Sequence, residues 1–233
     1  VPGRKLTLLS EGRIELAGRI EHSSNASYLA QISLGEDAAW AVYKPESGER
    51  PLFDFEPGLH RRERAAYLLS KHLGWGIVPP TVIREDAPLG VGSLQWFIEG
   101  DGREHYFTLY DDAPETHPEL VRIAVFDCIA NNTDRKSGHV VRGRNGRVWG
   151  IDHGLCFAAE FKLRTVIWDF AGDPIPGALL ADIAPIAEAV PDDLAELLDG
   201  AEVTALRRRA ERLLRQGVLP IDRTGRRYPW PLV

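Results

Sequence analysis

Between Arg13 and Lys44 apolar and polar side chains alternate in three runs, RIELAGRIEH, ASYLAQISL and AAWAVYKP, set apart by SSN and other polar turns. A period of two, filled with β-branched and aromatic residues, predicts an antiparallel sheet of about three strands. The segment ESGERPLFDFEPG carries Gly and Pro at both ends and reads as a loop anchored by Phe53 and Phe55. In HRRERAAYLLSKHLG the period becomes helical. Ala65, Leu68, Leu69, His72 and Leu73 share one stripe, the arginines face solvent, and Gly74 stops the helix. Pro79 and Pro80 then break the chain before TVIRED and GSLQWFIEG, two further strands joined by a Pro-Gly turn region.

After an acidic loop near Asp111 and Asp112, THPELVRIAVFDCIANN offers Thr116 as N-cap, Pro118 near the first helical position and a nearly all-apolar run, which predicts a buried helix. HVVR and RVWGID flank the turn GRNG as a hairpin. The remainder reads as helices in GALLADIAPIAEAV, PDDLAELLDG and EVTALRRRAERLLRQG, the last with a triple Arg on a solvated face. Strands plus one helix, a connecting strand and a mainly helical half describe an α+β chain of two lobes, residues 1–100 and 101–233, with a cleft between them.

Composition narrows the function classes. With 44% apolar and 27% charged residues the 233-residue chain is globular, not disordered, collagenous or coiled coil. Twenty-eight Lys and Arg against 34 Asp and Glu leave a net charge of −6, which speaks against broad nucleic-acid binding or an acidic lipid surface. No run approaches the ~20 apolar residues of a membrane span, and the start lacks a signal-type apolar core. The two cysteines, Cys128 and Cys156, form no spaced motif, so a soluble protein of the reducing cytoplasm is expected. Cys156 reads as a small buried thiol, and His22, His60 and His117 sit in polar surroundings without metal spacing.

The chemistry concentrates in NNTDRKSGHVV, residues 131–141, and VWGIDHG, residues 148–154. Asp134 follows the buried helix and Asp152 ends a hairpin strand eighteen residues later, which aims two carboxylates at one place. Phosphoryl transfer uses one carboxylate to orient a hydroxyl and another to hold magnesium. These motifs resemble the kinases related to phosphatidylinositol 3-/4-kinases, including HipA-like kinases and an uncharacterised actinobacterial branch. Asp134, Arg135, Lys136 and His139 stand at the spacings of that catalytic loop, and Asp152 with Gly154 at its metal-binding hairpin.

The resemblance implies a two-lobed protein-kinase-like fold, ATP with Mg2+ or Mn2+, and a hydroxyl acceptor on a protein or small molecule. It makes Asp134 catalytic and gives the metal to Asp152 and His139, the latter standing where the family has Asn, while Lys136 replaces a loop His. Lys44 ends its strand on the face of Val42 and Trp40, a position that calls for an anionic partner. In kinases such a lysine contacts nucleotide phosphates beside a helix Glu, here Glu63. Ser23, Ser24 and Asn25 occupy the place of a phosphate-covering loop, and Gln95, Trp96 and Phe97 that of the strand against which adenine lies. Lys162 and Arg164 fall in the position of an activation segment. Competing expectations are a nucleotide-binding pseudokinase and a metal-dependent hydrolase built on Asp134, His139, Asp152 and His153.

Overall fold

The computed structural model describes residues 2–21 and 25–232; His22, Ser23 and Ser24, two of them assigned above to a phosphate loop, lie outside the described residues. Alternation does form the expected strands. β1 (Arg13–Arg19), β2 (Tyr28–Leu34), β3 (Asp37–Pro45), β4 (Thr81–Arg84) and β5 (Gly92–Trp96) build an antiparallel sheet in the order β1-β2-β3-β5-β4. In the β3–β5 ladder Ala41 faces Trp96, Val42 faces Gln95 and Lys44 faces Ser93. One sheet face therefore carries Ala41, Tyr43 and Leu94, all at 0% exposure, and the other carries Val42 and Lys44.

The apolar face is covered by α1 (Pro2–Glu11), a helix absent from the sequence expectations. Leu8 and Leu9 enter the core beside Ile32, Tyr43 and Leu94. Its free C-terminal carbonyls find a cation on a neighbouring strand: Arg84 Nη1 donates to Leu9 O and Gly12 O, each at 2.9 Å. Gly12 is required there, since a Cβ would collide with the Leu8 carbonyl.

On the other side of the sheet lies α2 (Leu59–His72), which buries Glu63 and the run Ala65–Ser70. Two expectations for it fail. His72 is exposed and bonds Asp193 at 2.7 Å, so it does not belong to the apolar stripe. Arg62 and Arg64 do not face open solvent: Arg62 reaches the Cys156 carbonyl at 2.7 Å and Glu202 at 2.5 Å, and Arg64 donates to Thr81 O. Lodged between sheet and second lobe, the helix has its polar side covered too, and the guanidinium heads end on carbonyls and a carboxylate. In the preceding loop Phe55 is buried on Leu59 and Ala158, whereas Phe53, the other expected anchor, is 98% exposed.

The second lobe opens with α3 (Tyr106–Asp112), so Asp111 and Asp112 end a helix instead of forming a loop. Thr116 does not cap with its side chain; its hydroxyl donates to Ala113 O at 2.8 Å, in a short 3-10 turn ahead of α4. α4 (His117–Ala130) runs through the lobe centre, with Ile123, Val125, Phe126, Ile129 and Ala130 at 0% exposure. The hairpin β6 (Val140–Arg142) and β7 (Val148–Gly150) follows as expected, then α5 (Gly177–Glu188), α6 (Asp192–Ala195) and α7 (Gly200–Gln216). Asp199 caps α7 by accepting from Glu202 N, and Gly217 ends it at φ 65°. The triple Arg is not all solvated: Arg209 is buried and donates to Ile129 O at 2.7 Å and Ala158 O at 3.2 Å.

Because Leu9 is fully enclosed, Leu9→Ala is expected to cost about 2–5 kcal/mol in urea unfolding. A loss below about 0.5 kcal/mol would mean that α1 is not docked on the sheet.

Candidate active site

The fixed point of the site is an ion pair with no exposure on either side, Asp127 of α4 and Arg135. The guanidinium Nε and Nη2 each donate to the carboxylate at 2.9 Å. Its Nη1 donates onward to Ile151 O at 2.7 Å and His139 O at 3.2 Å, which ties the loop after α4 to the strand end before Asp152. Asn132 closes the loop: its amide Nδ2 donates to Asp127, and its Oδ1 accepts from Asp134 N, each at 3.0 Å. Asn131 turns the chain at φ 54°, Asp152 sits at φ 59°, and both are non-glycine positions in the left-handed region.

Held in this way, four charged groups meet. Lys44 Nζ lies 2.5 Å from Glu63 Oε1 and 2.8 Å from Asp152 Oδ1. The second Glu63 oxygen accepts from His153 N at 3.1 Å, so Glu63 links the lysine to the second lobe. His139 Nε2 stands 3.4 Å from Asp152 Oδ2. Asp134 lies across the recess, with Lys136 Nζ 3.5 Å from its Oδ2. Lys44, Glu63, Asp134, His139 and Asp152 thus converge from separate segments. A small recess of about 50 Å³ joins Lys44, Glu63, Asp134 and Asp152, and a cleft of about 590 Å³ extends from Lys44, His139 and Asp152 to Gln95, Trp96 and Phe97.

The electrostatics follow from burial and pairing. Burial alone would favour neutral Lys44, yet Asp152 and Glu63 together raise its pKa above the ordinary ammonium value. Lys44, and after it His139, hold Asp152 well below the usual carboxylate range, against the partial desolvation of a side chain that is 46% exposed. Burial pushes Asp134 up to about 6, with Lys136 opposing and Asp152 adding to the shift. His139 is lowered to about 4, chiefly by burial, and is a neutral ring at physiological pH. Its Nδ1 lies 3.0 Å from Asp134 O, closer than the 3.3 Å to Lys136 N. The tautomer that donates there leaves the Nε2 lone pair facing the Asp152 carboxylate.

That donor pair tests a metal. An imidazole nitrogen and a carboxylate oxygen 3.4 Å apart can share one divalent ion at ligand distances of about 2.0–2.2 Å. The two fit, with the remaining positions left to nucleotide oxygens and water. His153 is withdrawn from such a set, because its Nε2 accepts from Arg135 Nη2 at 2.8 Å inside the core. No group of three or more His, Cys, Asp or Glu side chains able to hold a metal occurs among the described residues.

The other candidates divide. Asn25 borders the recess, but its Oδ1 accepts from Arg50 N at 3.0 Å. Gln95 lines the cleft and donates to Thr81 Oγ1 at 2.8 Å; Trp96 lines it as well while its ring lies under Lys5 Nζ, 4.5 Å away. Lys162 is engaged by Asp54 at 3.3 Å and Glu160 at 3.5 Å, and Arg164 is exposed. Cys156 is fully buried, as expected. His60 is buried with its Nδ1 3.4 Å from Glu46 and 3.9 Å from Glu49, whereas His117 stacks on Tyr110 with centroids 4.8 Å apart. Asp127 and Asn132 were not anticipated. The available signal is a carboxylate within the apolar run IAVFDCIA of α4, which must have a buried partner.

No protein-family model matches the chain. Protein Rv2133c of Mycobacterium tuberculosis (strain ATCC 25618 / H37Rv) is 42% identical over 261 aligned residues, 96% of this chain and 94% of the relative. The chain belongs to the family of that mycobacterial protein. Phosphatidylinositol 4-kinase gamma 2 of Arabidopsis thaliana is 28% identical over 64% of this chain, which spans about a third (34%) of the plant protein. Among solved structures, the Golgi casein kinase with Mn/ADP bound superposes at a TM-score of 0.60 over 100% of this chain and 80% of its own, with 14% identity. Hydra Fam20 with sugar gives 0.59 over 91% and 86%, also at 14% identity. The fold is protein-kinase-like, with the expected two lobes.

Removing one side of the buried pair, as in Arg135→Met, is expected to cost about 3–5 kcal/mol, because Asp127 is left charged in the core. Asp127→Leu combined with Arg135→Met is expected to cost less than either single change. Urea unfolding of the three variants measures this, and strictly additive losses would show that the pair is not the organising contact.

Proposed function

We propose that the chain is a metal- and ATP-dependent phosphotransferase, with residues 1–100 as the nucleotide lobe and 101–233 as the lobe that carries the catalytic loop. The observation behind this reading is the convergence of Lys44, Glu63, His139 and Asp152, with Lys44, His139 and Asp152 lining a 590 Å³ cleft and Lys44, Glu63, Asp134 and Asp152 lining the small recess beside them. In the reading, Lys44 holds nucleotide phosphates and Glu63 positions Lys44. Asp152 and His139 hold the divalent ion, magnesium or manganese, which neutralises charge on the phosphate oxygens. Gln95, Trp96 and Phe97 form the wall against the base, with Ser23, Ser24 and Asn25 over the phosphates.

Asp134 orients the acceptor hydroxyl and accepts its proton as the acceptor oxygen bonds to the γ-phosphorus; the bond from that phosphorus to the bridging oxygen breaks, and ADP leaves. Its carboxylate is suited to this, because burial lifts its pKa to about 6, close to the working pH. The Golgi casein kinase, solved with Mn/ADP, and the plant phosphatidylinositol 4-kinase support both the nucleotide and the hydroxyl acceptor. A net charge of −6 favours a protein or small-molecule acceptor over a lipid surface. Cys128 and Cys156, both buried free thiols, fit a reducing cytoplasm. No helix among the described residues is long and apolar enough to cross a membrane.

The test is thermal shift with ATP and magnesium or manganese, together with labelled-phosphate transfer. Asp134→Asn is expected to keep the ATP-dependent shift and lose transfer by about 10²–10⁴-fold. Lys44→Ala is expected to lose both, and Glu63→Gln to lose part of each. Transfer retained in Asp134→Asn overturns its role, whereas an ATP shift without any transfer in the unmodified protein favours a nucleotide-binding regulatory role.

Imidazole suits manganese better than it suits magnesium, whereas an amide oxygen suits magnesium. His139→Asn is therefore expected to move the metal ranking toward magnesium. An unchanged ranking in the two proteins would exclude His139 as a direct ligand.

A further inference from the structure

Away from the cleft, on the far side of α4, a cavity of about 600 Å³ is bordered by four arginines, Arg209, Arg212, Arg223 and Arg227. No Asp or Glu lines it among the described residues. Arg209 is the central group. It is only 9% exposed, its Nε and Nη1 are spent on the carbonyls of Ile129 and Ala158, and its Nη2 is buried with no hydrogen-bond partner. Its guanidinium thus places a positive charge at the cavity wall with no carboxylate among the described lining residues to answer it.

The remaining arginines are mostly uncommitted. Arg212 makes one long exposed bond to Gln216, at 3.4 Å, and Arg223 is exposed. Arg227 stacks on Phe161 with its guanidinium carbon 4.8 Å from the ring centre, and its Nε lies 3.9 Å from Asp222. That aspartate is already satisfied by the Thr224 hydroxyl and by the backbone N–H groups of Thr224 and Arg227, which lower its pKa to about 2. Burial lowers Arg209 to about 10, which still leaves it charged at neutral pH.

The rim has the opposite character. Phe161, Val218 and Ile221 border the same cavity and are 41%, 39% and 56% exposed. A cluster of planar guanidinium forks beside an apolar rim matches a ligand with a dianionic, multi-oxygen head and an apolar body. The cavity is half open, and its volume of about 600 Å³ is that of a small-molecule pocket.

We propose that this cavity is a second ligand site, independent of what the cleft does, and that it takes a phosphomonoester carried on an apolar or aromatic small molecule. The phosphate accepts from the exposed Arg212 and Arg223 guanidinium groups, with the buried Arg209 charge behind them, while the body lies against Phe161 and Ile221. Binding involves no covalent step.

Isothermal titration with phenyl phosphate and with inorganic phosphate tests the assignment on the full chain. Arg212→Ala combined with Arg223→Ala is the main variant, since neither side chain holds a buried partner and the fold should survive. Lys44→Ala controls for phosphate entering the cleft. Phenyl phosphate is expected to bind one site in the unmodified protein and equally well in Lys44→Ala. It is expected to bind at least about tenfold more weakly in the double variant, whose unliganded melting is unchanged. Inorganic phosphate is expected to be weaker throughout. Binding that survives in the double variant but is lost in Lys44→Ala would place the ligand in the cleft and overturn the proposal, as would no binding of either compound at millimolar concentration. Equal affinity for the two compounds would overturn the apolar part of the ligand.

Discussion

A carboxylate in the middle of an apolar helix has to be answered, and how Asp127 is answered determines much of the rest of the molecule. Arg135 supplies the charge and two parallel hydrogen bonds, but a guanidinium has further N–H groups, and these also need acceptors in the core. They find Ile151 O, His139 O and the His153 ring. Each bond fixes a piece of backbone within reach of Asp134, His139 or Asp152. The site is thus assembled by the need to satisfy one buried cation, and the two left-handed residues Asn131 and Asp152 are positions where the surrounding bonds outweigh the local backbone preference.

Lys44 performs a similar task between the lobes. Its ammonium is shared by Glu63 on α2 and Asp152 beyond β7, and so links the sheet, the helix and the end of the hairpin. The lysine is thereby held at the edge of the recess, with its side chain 24% exposed.

Much of this could be read from the chain because its signals were local. The period-two runs of β1 to β3, the Pro-Gly punctuation before β4 and β5, and the turn between β6 and β7 are settled within a few residues, and the structure follows them. The Asp134 and Asp152 motifs were legible for the same reason. The failures share a cause in tertiary context. The ten-residue α1 has only Leu6, Leu8 and Leu9 to mark it and depends on Arg84, more than seventy residues away, for its C-terminal cap. Arginines on α2 and α7 looked solvated until distant carbonyls from Thr81, Ile129 and Ala158 arrived beside them. Thr116 carried the right residue type for a cap, but the preceding 3-10 turn takes its hydroxyl.

The contacts of α2 bear on how the two lobes can move. Arg61 donates to Glu196 O at 2.8 Å, Arg62 joins the Cys156 carbonyl and Glu202, and His72 meets Asp193 at the other end of the helix. Although α2 packs on the sheet, it is lashed along its length to the helical lobe. A rigid swing of the whole first lobe would have to break every one of these ties. A breathing motion that keeps these ties would have to slide the sheet over α2 and flex the connections at residues 46–58, 73–80 and 97–105. Glu63 then belongs mechanically to the lobe that carries Asp152, and Lys44 rides on the moving part.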